Sequence, residues 1–149
     1  MRALVPLDGT ALGYATLEHG LAMLRAVPKL EVTLLAVMQE GFEATADPAY
    51  VAETFEADEE DEVLPSEASS QRVLARGLDI ARKQGLAARA KGEIGRPHEE
   101  ILKEAAHHDV LVVPALPASS LKGRGTASLA RQAPCHVLLV RVPASAGKA

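Results

Sequence analysis

The amino-acid sequence predicts an α/β fold with a five-stranded, mainly parallel sheet, because short apolar runs alternate with amphipathic segments along the chain. The clearest example lies near the carboxyl terminus, where a helix that starts at Pro97 leads into the apolar run 110–113. A second helical segment leads into the run 137–140. Strands that are apolar throughout are buried on both faces, which is typical of parallel sheets. The predicted architecture is a three-layer α/β/α sandwich.

The amino-terminal part begins the same pattern. Residues 3–5 form an apolar run, and the turn after them offers Thr10 as a helix N-cap. Helical spacing of apolar residues from Leu12 predicts a first helix that ends near Pro28. The almost wholly apolar run 32–38 predicts the second strand.

An acidic segment interrupts the pattern at about residues 40–70. Seven acidic residues lie between 53 and 62. Like charges at this density disfavour packing, so we expect an exposed excursion within a single domain that spans residues 1–149. A docking site for a basic partner is the less favoured interpretation.

Two helices and a weak strand complete the order. Residues 70–84 have helical spacing and end at Gly85, which suits the position after a helix. Residues 87–91 predict a polar strand near a sheet edge, and Pro97 suits the first turn of the next helix. The chain therefore predicts five strands alternating with four helices.

Composition limits the partners and the compartment. The 16 basic and 20 acidic residues give a formal charge of −4, which argues against a general nucleic-acid-binding protein. Cys135 is the single cysteine, so no disulfide forms within the chain and a cytoplasmic location is expected. No apolar run approaches the roughly 20 residues that span a bilayer, and no secretory signal pattern opens the sequence, so no membrane association is expected.

Four segments in order resemble the universal stress protein family. Residues 4–10, Leu-Val-Pro-Leu-Asp-Gly-Thr, are similar to the family's first strand and its V-P-x-D-G-[ST] turn. Residues 32–37 are similar to its second strand, 95–102 to its G-x-P-x-E-x-I helix start, and 133–140 to its A-P-C-P-V-L-V-V ending. The resemblance implies a Rossmann-like fold of the adenine nucleotide α-hydrolase type.

The resemblance also implies a nucleotide site at the carboxyl edge of the sheet. In family members that bind ATP, the first-turn Asp and the second strand hold the adenosine, and a G-x2-G-x9-G-[ST] motif after the fourth strand holds the phosphates. Glycines let backbone N–H groups approach an anion. Carried over to this sequence, the implied cofactor-binding residues are Pro6, Asp8, Val37, Val113, Gly123, Gly125 and Thr126.

This sequence departs from the glycine motif. Pro114 and Pro117 occupy the first two glycine positions, and proline has no N–H to donate. Seven residues separate Pro117 from Gly125 where the motif has nine. We therefore expect ATP binding to be weak or absent, and no cofactor to be required.

Three functions follow as hypotheses. The first is a regulatory stress-response protein, without enzymatic activity, that acts as a homodimer through its last strand and through an unknown protein partner. The second is an adenine-nucleotide-binding stress protein that uses ATP or AMP. The third and least favoured is a nucleotide hydrolase. The second would rebuild its phosphate loop from Ser119, Ser120, Lys122, Gly125 and Thr126.

Catalytic and metal sites are not indicated. The sequence contains no Ser-His-Asp arrangement, acidic pair in a turn or P-loop. Cys135 and His136 alternate to opposite faces of a strand. His107 and His108 suit the end of a helix better than a metal, and His98 is expected at the surface.

Overall fold

The structure is a computed structural model that describes residues 1–38, 69–115 and 123–143. The acidic excursion expected at about 40–70 lies outside the described residues, apart from 69 and 70. The loop positions Pro117, Ser119, Ser120 and Lys122 lie outside them as well.

The described residues form five strands and four helices in strict alternation, as predicted. The strands are β1 (Arg2–Leu7), β2 (Glu31–Met38), β3 (Ala88–Ile94), β4 (Val110–Pro114) and β5 (His136–Val140). The helices are α1 (Ala11–Leu24), α2 (Ser70–Lys83), α3 (Pro97–Ala105) and α4 (Gly123–Gln132). Within the described ranges, none of these helices is long and apolar enough to cross a membrane.

The sheet is parallel at each of its four strand pairs, and its order is β3-β2-β1-β4-β5. β1 lies at the centre. Leu7 near its end pairs with Ala36 of β2, and Leu4 pairs with Leu111 of β4. The chain builds outward from β1 on one side through β2 and β3, then returns to the other side at β4. The carboxyl end of β1 is therefore a topological switch point, where folds of this type bind ligands.

Helices cover both faces of the sheet, which confirms the three-layer α/β/α sandwich. Alternate residues of β1 enter different cores, with Val5 on the face of α1 and α2 and Leu4 on the face of α3 and α4. The first core also contains Leu17, Leu21, Val32, Leu34, Val73, Leu74, Val112 and Val140. The second contains Leu35, Ile101, Ala105, Leu111, Val113 and Leu129.

Two predicted boundaries differ from the structure. The first helix ends at Leu24 and not near Pro28, because the chain leaves the helix through a turn in which the Val27 N–H donates to the Leu24 carbonyl (2.9 Å). Proline disfavours helical dihedrals in the residue before it, so the helix must end before Pro28. The weak strand is longer than expected and reaches Ile94, but it lies at a sheet edge as predicted.

The edge strand β3 is fixed to α3 by an ion pair. Lys91 Nζ lies 2.7 Å from Glu104 Oε2. Burial raises the pKa of the Glu104 carboxyl, and the hydrogen bond and the charge of Lys91 lower it. Together the lowering effects are larger, so the pKa lies below its ordinary value. The pair holds an exposed strand against a helix where few apolar contacts are present.

Glycine allows α2 to approach the sheet closely. A Cβ at Gly77 would lie 2.5 Å from Leu7 Cδ1 and 2.9 Å from Leu34 Cδ1, and both leucines are buried in the first core. Such distances are too short for carbon atoms at van der Waals contact. Gly85, which follows the C-cap residue Gln84 of α2, has φ +77°, which confirms its predicted place at the end of the helix.

We expect Gly77→Ala to destabilise the protein. Overpacking a core costs about 1–3 kcal/mol, and alanine returns up to about 1 kcal/mol of helix propensity, so a net loss of about 1 kcal/mol is expected in chemical denaturation. Gly92→Ala is the control, because a Cβ there would meet its nearest neighbour, Leu74 Cδ1, at 3.9 Å. Equal stability of the two variants would contradict the tight helix–sheet contact.

Candidate functional site

The turn after β1 fixes an aspartate at the switch point. Asp8 is 2% exposed. Its Oδ1 accepts hydrogen bonds from the backbone N–H of Thr10 (3.0 Å) and from the Thr10 hydroxyl (2.6 Å). Gly9 between them has φ +83°, a conformation that glycine adopts without strain. Asp8 therefore stabilises the turn and is held in one position at the carboxyl edge.

Thr10 joins this turn to α1. It is the N-cap of α1, and its hydroxyl accepts the N–H of Gly13 at 3.0 Å, as the sequence predicted. The same hydroxyl donates to Asp8. A chain of hydrogen bonds thus runs from the first turn of the helix through Thr10 to the Asp8 carboxylate. The position of the carboxylate depends on the helix cap.

Four of the implied site residues lie at the same edge of the sheet. Pro6 and Asp8 are at the end of β1, and both are buried. Val37 lies at the end of β2 and is half-buried, while Val113 is buried in β4 next to its last residue. Parallel strands bring these ends together on both sides of the switch point. The residues implied for the nucleoside therefore share one edge of the sheet.

The remaining implied residues lie in the first turn of α4. Gly123 begins α4, followed by Gly125 and Thr126. Because α4 connects the end of β4 to the start of β5, its first turn is at the carboxyl edge. Thr126 is 3% exposed, and among the described residues its Oγ1 has no hydrogen-bond partner. A buried hydroxyl without a partner costs about 1–3 kcal/mol, so a ligand that bonded to it would recover this loss.

The start of the loop after β4 offers few donors to an anion. Pro114 ends β4, pairs with Val140 of β5 and has no N–H. The next residue, Ala115, has an N–H, but it donates to the Val140 carbonyl at 2.8 Å. The last residue of β4 and the first residue after it thus offer no backbone N–H to a phosphate. Sequence reasoning identified the proline and missed the second loss, because the partner of Ala115 is a backbone atom of a strand 25 residues away.

The basic residue Arg131 does not lie at the carboxyl edge. Arg131 lies in the last turn of α4. At 1.5 Å per residue it is about 8 Å along the helix axis from Thr126 and further from Gly123. Arg131 therefore lies away from the carboxyl edge, while Lys122 and the side chain of Arg124 are outside the described part of the chain.

His98 was expected at the surface, but it is partly covered by α4. It is half-buried, and its Nε2 lies 3.3 Å from the Ser128 hydroxyl. Ser128 also accepts a hydrogen bond from Gln132 at 3.0 Å. In the described ranges no hydrogen bond joins His98 to a carboxylate, so the contact links α3 to α4 and does not form a catalytic triad. No local sequence pattern predicts this pairing across 30 positions.

The opposite, amino-terminal edge of the sheet carries a groove of about 520 Å³. Burial raises the pKa of the Cys135 thiol there, and the charge of Asp109 raises it too, while the backbone of Leu111 opposes them. The thiol is therefore protonated at neutral pH and a poor nucleophile. Across residues 1–38, 69–115 and 123–143 no three His, Cys, Asp or Glu residues form a metal site. The groove is lined by His108, Asp109, Ala133, Pro134, Cys135 and His136.

Asp109 in this groove connects the first residues of three strands. Its Oδ2 accepts the backbone N–H of Arg2 at 2.8 Å, and its own N–H donates to the Arg2 carbonyl at 2.7 Å. Its carbonyl accepts the N–H of His136 at 3.1 Å. Asp109 therefore aligns the starts of β1, β4 and β5.

Comparison with known proteins decides the family. The model of the universal stress protein family matches residues 1–141. The chain belongs to the universal stress protein family. A search of curated protein sequences found no significant match.

Solved structures of universal stress proteins share the fold. One in complex with cAMP is 19% identical with a TM-score of 0.67, over 96% of this chain and 98% of the other. UspA from Lactobacillus plantarum is 20% identical with a TM-score of 0.65, over 95% and 97%. A family protein from Arabidopsis thaliana with AMP bound is 16% identical with a TM-score of 0.65, over 97% and 94%. At these identities the similarity establishes the fold.

The Thr10 hydrogen bonds predict a stability difference between two conservative variants. Thr10→Ala removes the cap of α1 and the donor to Asp8, and we expect it to lower the free energy of unfolding by about 1–2 kcal/mol. Thr10→Ser keeps the hydroxyl and is expected to lose less than half as much. Thermal and chemical denaturation measure both. Equal losses would show that the Thr10 methyl group, and not its hydroxyl, stabilises the turn.

Proposed function

We propose that this universal stress protein is a regulatory protein that acts through a homodimer and a protein partner, binds ATP weakly or not at all, and catalyses no reaction. The observation that carries the proposal is the start of the loop after β4. Pro114 has no N–H, and the Ala115 N–H is used within the sheet. A triphosphate needs several backbone donors there.

The arrangement of reactive side chains supports a role without catalysis. The Cys135 thiol has a raised pKa and lies at the edge opposite Asp8. The Ser128 hydroxyl lies in the middle of α4, where it pairs with His98 and Gln132. Neither is next to the turn where a nucleotide would bind, so a nucleotide hydrolase is the least supported function.

A site for an adenosine monophosphate is the second candidate. Solved structures with this fold include a universal stress protein in complex with cAMP and a family protein with AMP bound. One phosphate needs fewer donors than three. The buried hydroxyl of Thr126 could supply one of them, while Asp8, Val37 and Val113 would contact the nucleoside. This candidate uses the same edge of the sheet.

Titration with nucleotides tests both candidates. We expect 1 mM ATP with Mg²⁺ to stabilise the protein by less than about 0.4 kcal/mol, which corresponds to a Kd above about 1 mM. Pro114→Gly alone should not restore binding, because the Ala115 N–H stays committed to Val140. Parallel titrations with ADP, AMP and cAMP distinguish the two candidates, because the second predicts stabilisation by a monophosphate. Stabilisation by about 2.7 kcal/mol at low micromolar ATP, a hundredfold excess over Kd, would overturn the proposal.

The two edges of the sheet differ in a way that supports dimerisation through β5. The β3 edge carries Arg89, Lys91 and Glu93, and charges on an edge strand disfavour pairing with another chain. The outer edge of β5 carries an apolar run instead, and Leu139 within it is 50% exposed. An apolar edge strand with open N–H and C=O groups suits pairing with a second copy about a twofold axis.

We expect Leu139→Lys to dissociate the dimer. Sedimentation velocity at tens of micromolar should show a dimer for the unchanged protein and a monomer for the variant, because a charge would replace an apolar side chain at the interface. Ile94→Lys is the matched control: Ile94 is the exposed apolar residue at the end of β3, and its replacement should leave the dimer intact. A monomeric unchanged protein would rule out this interface.

A further inference from the structure

We infer that the groove at the amino-terminal edge receives Arg141 of the partner subunit, whose guanidinium pairs with the Asp109 carboxylate. The inference rests on the β5 dimer of the proposed function and goes beyond it by naming the register and the ion pair. The same interaction occurs twice, because a twofold axis repeats it.

The backbone of β5 limits how two copies can pair. His136 donates its N–H to the carbonyl of Asp109, directly before the neighbouring strand β4, and the Val140 carbonyl accepts the Ala115 N–H. Even-numbered residues of β5 thus use their backbone groups on β4. The odd-numbered residues, Val137 and Leu139, direct theirs outward. In an antiparallel pair the outward residues of one strand must face outward residues of the other.

One register uses the outward residues best. With Leu138 on the twofold axis, Val137 faces Leu139 of the partner subunit and Leu139 faces Val137 of the partner subunit. The next outward pair is then Cys135 with the partner's Arg141. A shift of one step would bring Pro143 opposite Cys135, and proline has no N–H to donate. A shift the other way would bring Arg141 opposite Ala133, whose N–H already donates to the Leu129 carbonyl at the end of α4 (2.9 Å).

Side-chain direction then brings Arg141 to the groove. Cys135 and Val137 both pack on the core of α3 and α4, so odd-numbered residues point to that face. The partner's Arg141 would emerge on the same face, with its Cα about 5.5 Å from that of Cys135. Cys135, His136 and Asp109 line one groove, whose volume of about 520 Å³ accommodates a guanidinium.

Charge and exposure agree with this occupant. Asp109 is exposed, and its Oδ2 is held in place by the backbone N–H of Arg2. A carboxylate fixed in this way is a ready partner for a guanidinium. Arg141 is exposed in the single subunit, directly after β5. The antiparallel arrangement brings Arg141, directly after β5 of one copy, close to Asp109 beside the start of β5 of the other copy.

Disulfide cross-linking tests the register. Cys135 is the single cysteine of the chain, so Arg141→Cys introduces the second thiol. Six residues of strand span about 20 Å, so the two thiols of one chain cannot meet, while those facing across the dimer can. Mild oxidation should give a covalent dimer on a non-reducing gel, with a 135–141 linkage in the peptide map. Pro143→Cys is the matched control and should give little covalent dimer.

A double-mutant cycle tests the ion pair. Asp109→Asn keeps an acceptor for the Arg2 N–H and removes the charge, and Arg141→Gln removes the cation. Each should raise the dimer Kd about threefold to tenfold at low salt, and the double variant should be no weaker than either single one. Arg131→Gln is the charge control and should leave the Kd unchanged.

The outcomes separate the inference from the dimer itself. A dimer that cross-links through Pro143→Cys and not through Arg141→Cys, or additive effects in the cycle, would overturn the inference and leave the β5 dimer standing. A monomeric unchanged protein would overturn both.

Discussion

The structure depends on the burial of β1 on both faces. Leu4 enters one core and Val5 and Leu7 enter the other, so a single strand supports both layers of helices. Each such side chain contributes about 1.5–3 kcal/mol when fully buried. The core contains almost no aromatic residues, so it is filled by Leu, Val, Ile and Ala and requires helices close to the sheet. Gly77 makes that approach possible on one face.

This central strand also explains why the two edges of the sheet have different properties. At the carboxyl edge, the end of β1 places Asp8 between β2 and β4, and the Thr10 cap holds it there. At the amino-terminal edge, Asp109 joins the starts of β1, β4 and β5 through backbone hydrogen bonds. The first edge carries the residues of the proposed nucleotide site. The second presents a groove beside an open strand, which suits contact with another protein chain.

Most of the fold could be predicted from the sequence because local residue patterns specify most of its strands and helices. The apolar runs of β1, β2, β4 and β5 and the cap at Thr10 needed no distant partner to be recognised. The implied residues Pro6, Asp8, Val37 and Val113 came from resemblance, and the parallel sheet brings their strand ends to one edge. Interactions between distant residues were not predictable. The bond from Ala115 to Val140 and the His98–Ser128 contact both depend on how separate elements pack.

The central place of β1 has a consequence for synthesis on the ribosome. β1 is made before the other four strands of the sheet, but one of its two neighbours is β4, which begins at Val110. The carboxylate that holds the Arg2 N–H belongs to a residue 107 positions later. During translation, β1 can pair with β2 early while its other edge stays open until most of the chain has emerged. An apolar strand that waits this long for its second neighbour can associate with other chains before folding is complete. Chaperones or rapid completion of the chain would prevent this association.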